Sequence, residues 1–186
     1  MTEAMNELIA LNQFITSELI VRDLWDDSVL AGLYVVPLLA KFLLARSDKG
    51  EHDPSLHKQE ICRIGALLYI SGVRHSFGVM FSPIVYIPKI IDATSIQWDF
   101  RFESGDRVLR WVVFIGGIQS LHHIEHEWFV SAMAETIADQ KWSTWAELMS
   151  SVREILWIEG ILAEECHEFR KEVSAKFRNT YGRQLF

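Results

Sequence analysis

Ten consecutive residues, Leu109 to Ile118 (LRWVVFIGGI), constrain this chain most. Their apolar side chains point to every side of a helix, and a helix that is apolar all round must be buried all round. That predicts a domain built around one central helix. Gly116 and Gly117 lie in its second half, where each glycine costs about 1 kcal/mol relative to alanine. The expected compensation is close approach of another helix or of a ligand. Leu121 to Glu127 (LHHIEHE) then supplies three histidines and two carboxylates, and Trp128, Phe129 and Val130 follow.

At 186 residues the chain reads as one domain, residues 1–186. A domain of that size buries roughly 70% of its unfolded surface and needs no staples. The apolar fraction of 49%, with seven Trp and eleven Phe, calls for a large core or an apolar cavity. The net charge of −7, with no run of Lys or Arg, argues against direct contact with nucleic acid. Cys62 and Cys166 have no zinc-type spacing and read as reduced, buried thiols of an intracellular protein, in cytoplasm or nucleus. The acidic start of the chain lacks the basic region of a signal peptide. The longest apolar run, Leu30 to Ala45, is broken by Pro37 and Lys41. It falls short of the ~20 residues of a membrane span, so none is expected.

Punctuation and periodicity predict six or seven helices. The first carries Met5, Leu8, Ile9, Leu11, Phe14, Ile15 and Leu19, with Thr2 as its cap. A second begins at Asp26 and Asp27 and runs to about Arg46, kinked or split at Pro37. Ser55 caps a third, which carries Ile61, Ile64, Leu67, Leu68 and Ile70 and ends before Gly78. Residues 79–88, with Pro83 and Pro88, read as an ordered loop before a short helix. The central helix starts at Asp106, and another spans Glu127 to Gln140. Thr144 and Glu147 form a capping box. Gly160 ends or bends the helix that follows, and the last helix runs from about Leu162 to Phe177.

Three pieces, in order, resemble the C-terminal part of the fungal-specific regulator domain that accompanies zinc binuclear cluster DNA-binding modules. They are Glu60 to Ile70 (EICRIGALLYI), Leu109 to Ile118 with Trp128 to Val130, and Trp145 to Leu148 (WAEL) with Val152 to Trp157 (VREILW). The resemblance spans roughly residues 60–157. It implies an all-helical fold, a fungal source and a role in sensing effectors or controlling activation. The chain departs from the family in two ways. Its only cysteines are Cys62 and Cys166, so the zinc cluster is absent. Its histidine-rich segment from Leu121 to Glu127 has no counterpart in the pattern.

His122 and His126 are four residues apart and share one face if the central helix continues through them. With Glu125 they match the His-x-x-Glu-His spacing of inverted zincins, but no third ligand is evident, and a metal is not expected. The same groups suit acid/base work near neutral pH, with Glu125 or Glu127 orienting His122, His123 or His126. His75, near the end of the third helix, is the next candidate; its plain reading is a basic residue complementing a helix C-terminus. Trp98, Trp111, Trp128 and Tyr86 are candidate walls of a pocket, with His123 at its edge. Trp98 to Phe102 (WDFRF) would form a rim.

The leading expectation is therefore a compact all-α domain that binds a hydrophobic small molecule. It would turn that molecule over without a cofactor, by cyclisation, isomerisation or elimination in fungal secondary metabolism. The rival is a non-catalytic effector or interaction module working as a homodimer. A large cavity reached by the histidines favours the first. A filled core with an exposed apolar patch favours the second.

Overall fold

The computed structural model describes residues 2–45, 54–79, 84–97 and 106–185, with the backbone alone at 54–57, 84 and 93–97. All regular structure among them is helical. The order is α1 (Thr2–Glu18), α2 (Ser28–Leu30), a π-helical turn (Ala31–Val35), α3 (Val36–Leu44), α4 (Pro54–Ser76), a 3-10 turn (Ile84–Tyr86), α5 (Ile87–Gln97), α6 (Arg107–Gln119), α7 (His126–Gln140), α8 (Trp145–Arg153) and α9 (Ala163–Tyr181). No helix among the described residues is long and apolar enough to cross a membrane.

The apolar helix from the sequence is α6, and every residue from Arg110 to Ile118 is buried. Its start is fixed by Asp106, whose carboxylate accepts from Leu109 N at 3.1 Å and pairs with Lys58 Nζ of α4 at 2.7 Å. Burial alone would raise the Asp106 pKa. The Lys58 ammonium and the helix N–H groups outweigh it and hold the carboxyl below its ordinary range. A charged cap therefore sits at the positive end of the helix dipole.

The glycines are explained by helix packing. A Cβ on Gly116 would lie 2.4 Å from the Phe129 ring of α7, and one on Gly117 would lie 2.3 Å from the Phe169 ring of α9. On α4, a Cβ on Gly65 would meet Val112 of α6 at 2.5 Å. Two helices thus reach the α6 backbone with an aromatic ring through missing side chains, and α6 in turn reaches the α4 backbone at Gly65. The close approach is by helices and not by a ligand. Trp111 is fully buried beside them; its Nε1 donates to Leu156 O at 2.8 Å, and its ring tilts against Tyr69 at 5.9 Å.

The first three helices form a separate layer on α4. Helix α1 buries Ala4, Leu8 and Ile15, while Ile9 and Phe14 of the periodic set are exposed. The Tyr69 hydroxyl bonds to Asn12 Oδ1, and Asn12 Nδ2 donates to Trp157 O at 3.4 Å, tying α1 to α4 and to the segment after α8. Burial pushes the Tyr69 pKa far up, so its phenol stays protonated. Arg63 of α4, only 3% exposed, grips Glu60 with Nε and Nη2 at 2.7 and 2.6 Å. Its Nη1 donates to Phe42 O of α3 at 3.0 Å, satisfying a carbonyl near the helix end.

Pro37 does not split the second helix. The π turn lies immediately before it, and Val36 N bonds Ala31 O, five residues back. The widened turn makes room for a proline ring that would otherwise press on the carbonyl four residues earlier. Asp27, whose carboxylate accepts from Val29 N and Leu30 N, is the cap of this stretch. Thr2 and Pro54 are already inside α1 and α4, so the expected caps at Thr2 and Ser55 shift. The capping box is complete: Glu147 N donates to Thr144 Oγ1 at 3.2 Å, and Thr144 N donates back to Glu147 at 2.9 Å. Helix α8 ends at Arg153, ahead of Gly160, which takes a left-handed φ of +92° in the connection. Helix α9 continues past Phe177 to Tyr181 and closes on Gly182. Cys62 and Cys166 are free but only partly buried, against the expectation of fully buried thiols.

Candidate functional site

The central helix stops at Gln119, and α7 begins at His126. His122 and His126 therefore do not share a helical face, and the spacing that suggested a metal pair or an acid/base pair lies across a turn. His122 adopts a left-handed φ of +70° and is exposed. Histidine is among the side chains better tolerated there, so its plain task is to turn the chain. His123 Nδ1 and the Glu125 carboxylate form an ion pair within the same turn.

His126 has a different surrounding. Its Nδ1 lies 2.9 Å from Ser120 Oγ, and its Nε2 lies 3.0 Å from Glu172 Oε2 of α9. Ser120 is fully buried and its hydroxyl also reaches Gly117 O at 3.0 Å. The imidazole packs edge-on against Phe169 at 5.8 Å. Both ring nitrogens are thus engaged within the protein. Serine, histidine and glutamate in a row suggest nucleophilic catalysis, but a nucleophile must be reachable, and Ser120 is sealed beneath the turn. The arrangement does chemistry of another kind. It ties the end of α6, the start of α7 and the middle of α9 into one joint.

The remaining candidates are dispersed. His75 is exposed in the last turn of α4, where it complements the helix dipole. Tyr86 lies in the 3-10 turn with the Lys89 ammonium 5.4 Å from its ring centre and the Arg63 guanidinium at 6.0 Å. Trp111 is core. Trp128 is half-buried and stacks edge-on against Phe129 at 4.9 Å. Trp98 and the rest of the expected rim, Asp99 to Phe102, lie outside the described residues. Among the described residues, no group of three His, Cys, Asp or Glu is placed to hold a metal ion.

The surface feature that stands out lies in the N-terminal layer. A groove of about 390 Å³ runs between α1 and α3, lined by Glu7, Ala10, Leu11, Phe14, Tyr34 and Leu38. Phe14 and Tyr34 stack on each other in its wall at 6.3 Å, and Glu7 of the lining pairs with Lys41 at 2.5 Å. Beside the groove runs an apolar ridge. Val29 is 64% exposed, Leu33 65% and Tyr34 58%, while Val36, Pro37 and Ala40 are also exposed. From Ser28 to Ala40 the chain has no charged residue. The sequence signal for this face was the apolar run from Leu30 to Ala45. Such a run shows that a helix lacks a polar face; it does not show which half stays uncovered. Glu172 and Ser120 carry no local signal, because histidine partners distant in sequence are joined only by the fold.

No family model, curated protein or solved structure matches this chain.

Proposed function

We propose that this chain is a non-catalytic helical interaction module that works through the apolar face of its N-terminal layer. The observation that carries the reading is the charge-free stretch from Ser28 to Ala40, whose outer half lies in solvent although its composition is that of a buried helix. Large exposed apolar patches on otherwise well-packed domains mark sites of association. The close packing on α6 supports the same reading, since the aromatic residues there pack on glycines and on each other. An all-helical regulator-like body without a zinc cluster fits an effector or partner-binding role.

The groove supports a second reading, in which an apolar small molecule sits against Ala10, Leu11 and Leu38 beside the Phe14–Tyr34 ring pair. Its volume lies within the ~300–1,000 Å³ range of small-molecule sites. Turnover of a bound metabolite at the histidine turn is the rival to both.

The test uses two variants of the full chain. One is Leu33→Glu, on the ridge. The other replaces His122, His123 and His126 by Ala. Both are first checked for an intact helical spectrum and a cooperative thermal transition. The module reading expects Leu33→Glu to abolish binding of the natural partner and the histidine variant to keep it. Loss of a bound metabolite or of product formation in the histidine variant alone, with the ridge variant unaffected, would overturn it.

A further inference from the structure

We infer that the occupant of this face is a second copy of the same chain, with the ridge of each protomer seated in the groove of the other. The inference rests on the interaction-module reading and adds the identity of the partner. The first argument is shape. A two-fold interface needs a surface that is its own complement, because each contact is made twice with the roles exchanged. This face has both halves side by side. The ridge of Val29, Leu33 and Pro37 runs along α2, the π turn and α3, and the groove between α1 and α3 lies next to it. On this stretch Val35 and Leu38 are buried while Leu33 and Pro37 face out.

The second argument is charge. The chain carries −7 overall, so two copies repel through most of their surface. The face between Ser28 and Ala40 carries no charge, and the one pair at the groove, Glu7 and Lys41, is self-neutralised. Self-association is therefore directed to this face. A bilayer is a poorer fit, since membrane-surface helices carry Lys and Arg along their polar side, and the stretch from Ser28 to Ala40 has neither, while Lys41 just beyond it is paired with Glu7.

The third argument is area. The exposed parts of Phe14, Val29, Leu33, Tyr34, Val36, Leu44 and their small neighbours sum to on the order of 700 Å², close to the ~800 Å² per partner of a standard interface.

The experiment is sedimentation velocity of the full chain across roughly 1–100 μM, for wild type, Leu33→Glu on the ridge and Ala10→Glu in the groove. Both substituted side chains are exposed, so each variant should keep its fold, checked by circular dichroism. The expected result is a wild-type dimer within that range and a dissociation constant weakened at least about tenfold by either substitution. A dimer that survives either substitution overturns the inference. So does a wild-type chain that stays monomeric throughout, or one that stays monomeric and floats with anionic vesicles. If that monomer still loses its natural partner on Leu33→Glu, the module reading stands with a different occupant; if it does not, both fall.

Discussion

Two residues show how differently glycine and histidine are used here. Gly117 is forced by a ring. A methyl group there would overlap Phe169, which is itself enclosed by Phe114 at 6.0 Å and by His126 at 5.8 Å, so the ring has nowhere to swing. Gly117→Ala gains up to about 1 kcal/mol of helix propensity but overpacks a closed site, which typically costs about 1–3 kcal/mol. The expected outcome is a net loss of stability, read as a lower urea midpoint with an unchanged slope; an equal or higher midpoint would mean that α9 is free to move away. His122 is the opposite case. Its left-handed backbone is one that a β-carbon disfavours by roughly 1–2 kcal/mol, and its side chain is exposed. His122→Gly should therefore stabilise the fold, by about 0.5–1 kcal/mol after the added entropy of the unfolded chain is deducted. A destabilised variant would show that the imidazole makes a contact worth more than the strain.

At the scale of elements, the helices are held by a few polar ties across apolar seams. His126 joins α7 to α9 through Glu172 and to the end of α6 through Ser120. His126→Ala removes both bonds and should cost about 1–2 kcal/mol, with most of that lost in Glu172→Ala as well if the tie to α9 dominates. A double-mutant cycle measures the coupling, and additive losses would show that the two side chains act separately. Arg63 ties α3 to α4. Arg63→Met should cost about 2–4 kcal/mol, because it strips a partner from Phe42 O and leaves Glu60 without its guanidinium. An amide-exchange map of that variant should show faster exchange in α3 than in α6. These elements also show what the sequence makes legible. Thr144 with Glu147, the stop at Gly78 and the apolar girth of α6 are local signals, written within one turn or one helix. The Tyr69–Asn12, His126–Glu172 and Arg63–Phe42 ties are not legible, since each joins residues brought together only by packing. The shared face of His122 and His126 fails for a related reason. A four-residue spacing carries meaning only within a helix, and whether α6 continued past Gln119 depended on a left-handed turn that histidine can adopt and does not announce.

The described part of the molecule has a closely packed body around α6 and a layer of α1 to α3 whose outer face is apolar and exposed. That body buries acidic groups in their neutral form. Burial pushes the Cys166 thiol up from 9.0 to about 11, raises Cys62, and raises the Tyr69 phenol. The sign of the consequence follows from proton counts. Below about pH 9 the folded and unfolded chains both keep the Cys166 proton, and its contribution to stability is fully present. Between about pH 9 and about pH 11 the unfolded chain releases that proton while the folded chain holds it. The unfolded state then binds fewer protons, so stability falls as pH rises, and the contribution is lost once the folded thiol also ionises. Cys166→Ser removes this thiol's part alone. Cys62, Tyr69 and the lysine ion pairs stay in both proteins and cancel in the comparison. Urea midpoints measured at about pH 8 and about pH 10.5 should fall for both, with the shallower fall in Cys166→Ser. Equal slopes would mean that the folded thiol ionises as freely as the unfolded one, and that the seam between α9 and its neighbours admits water at that position. Carrying Leu33→Glu as background in both proteins keeps the exposed apolar face out of the comparison.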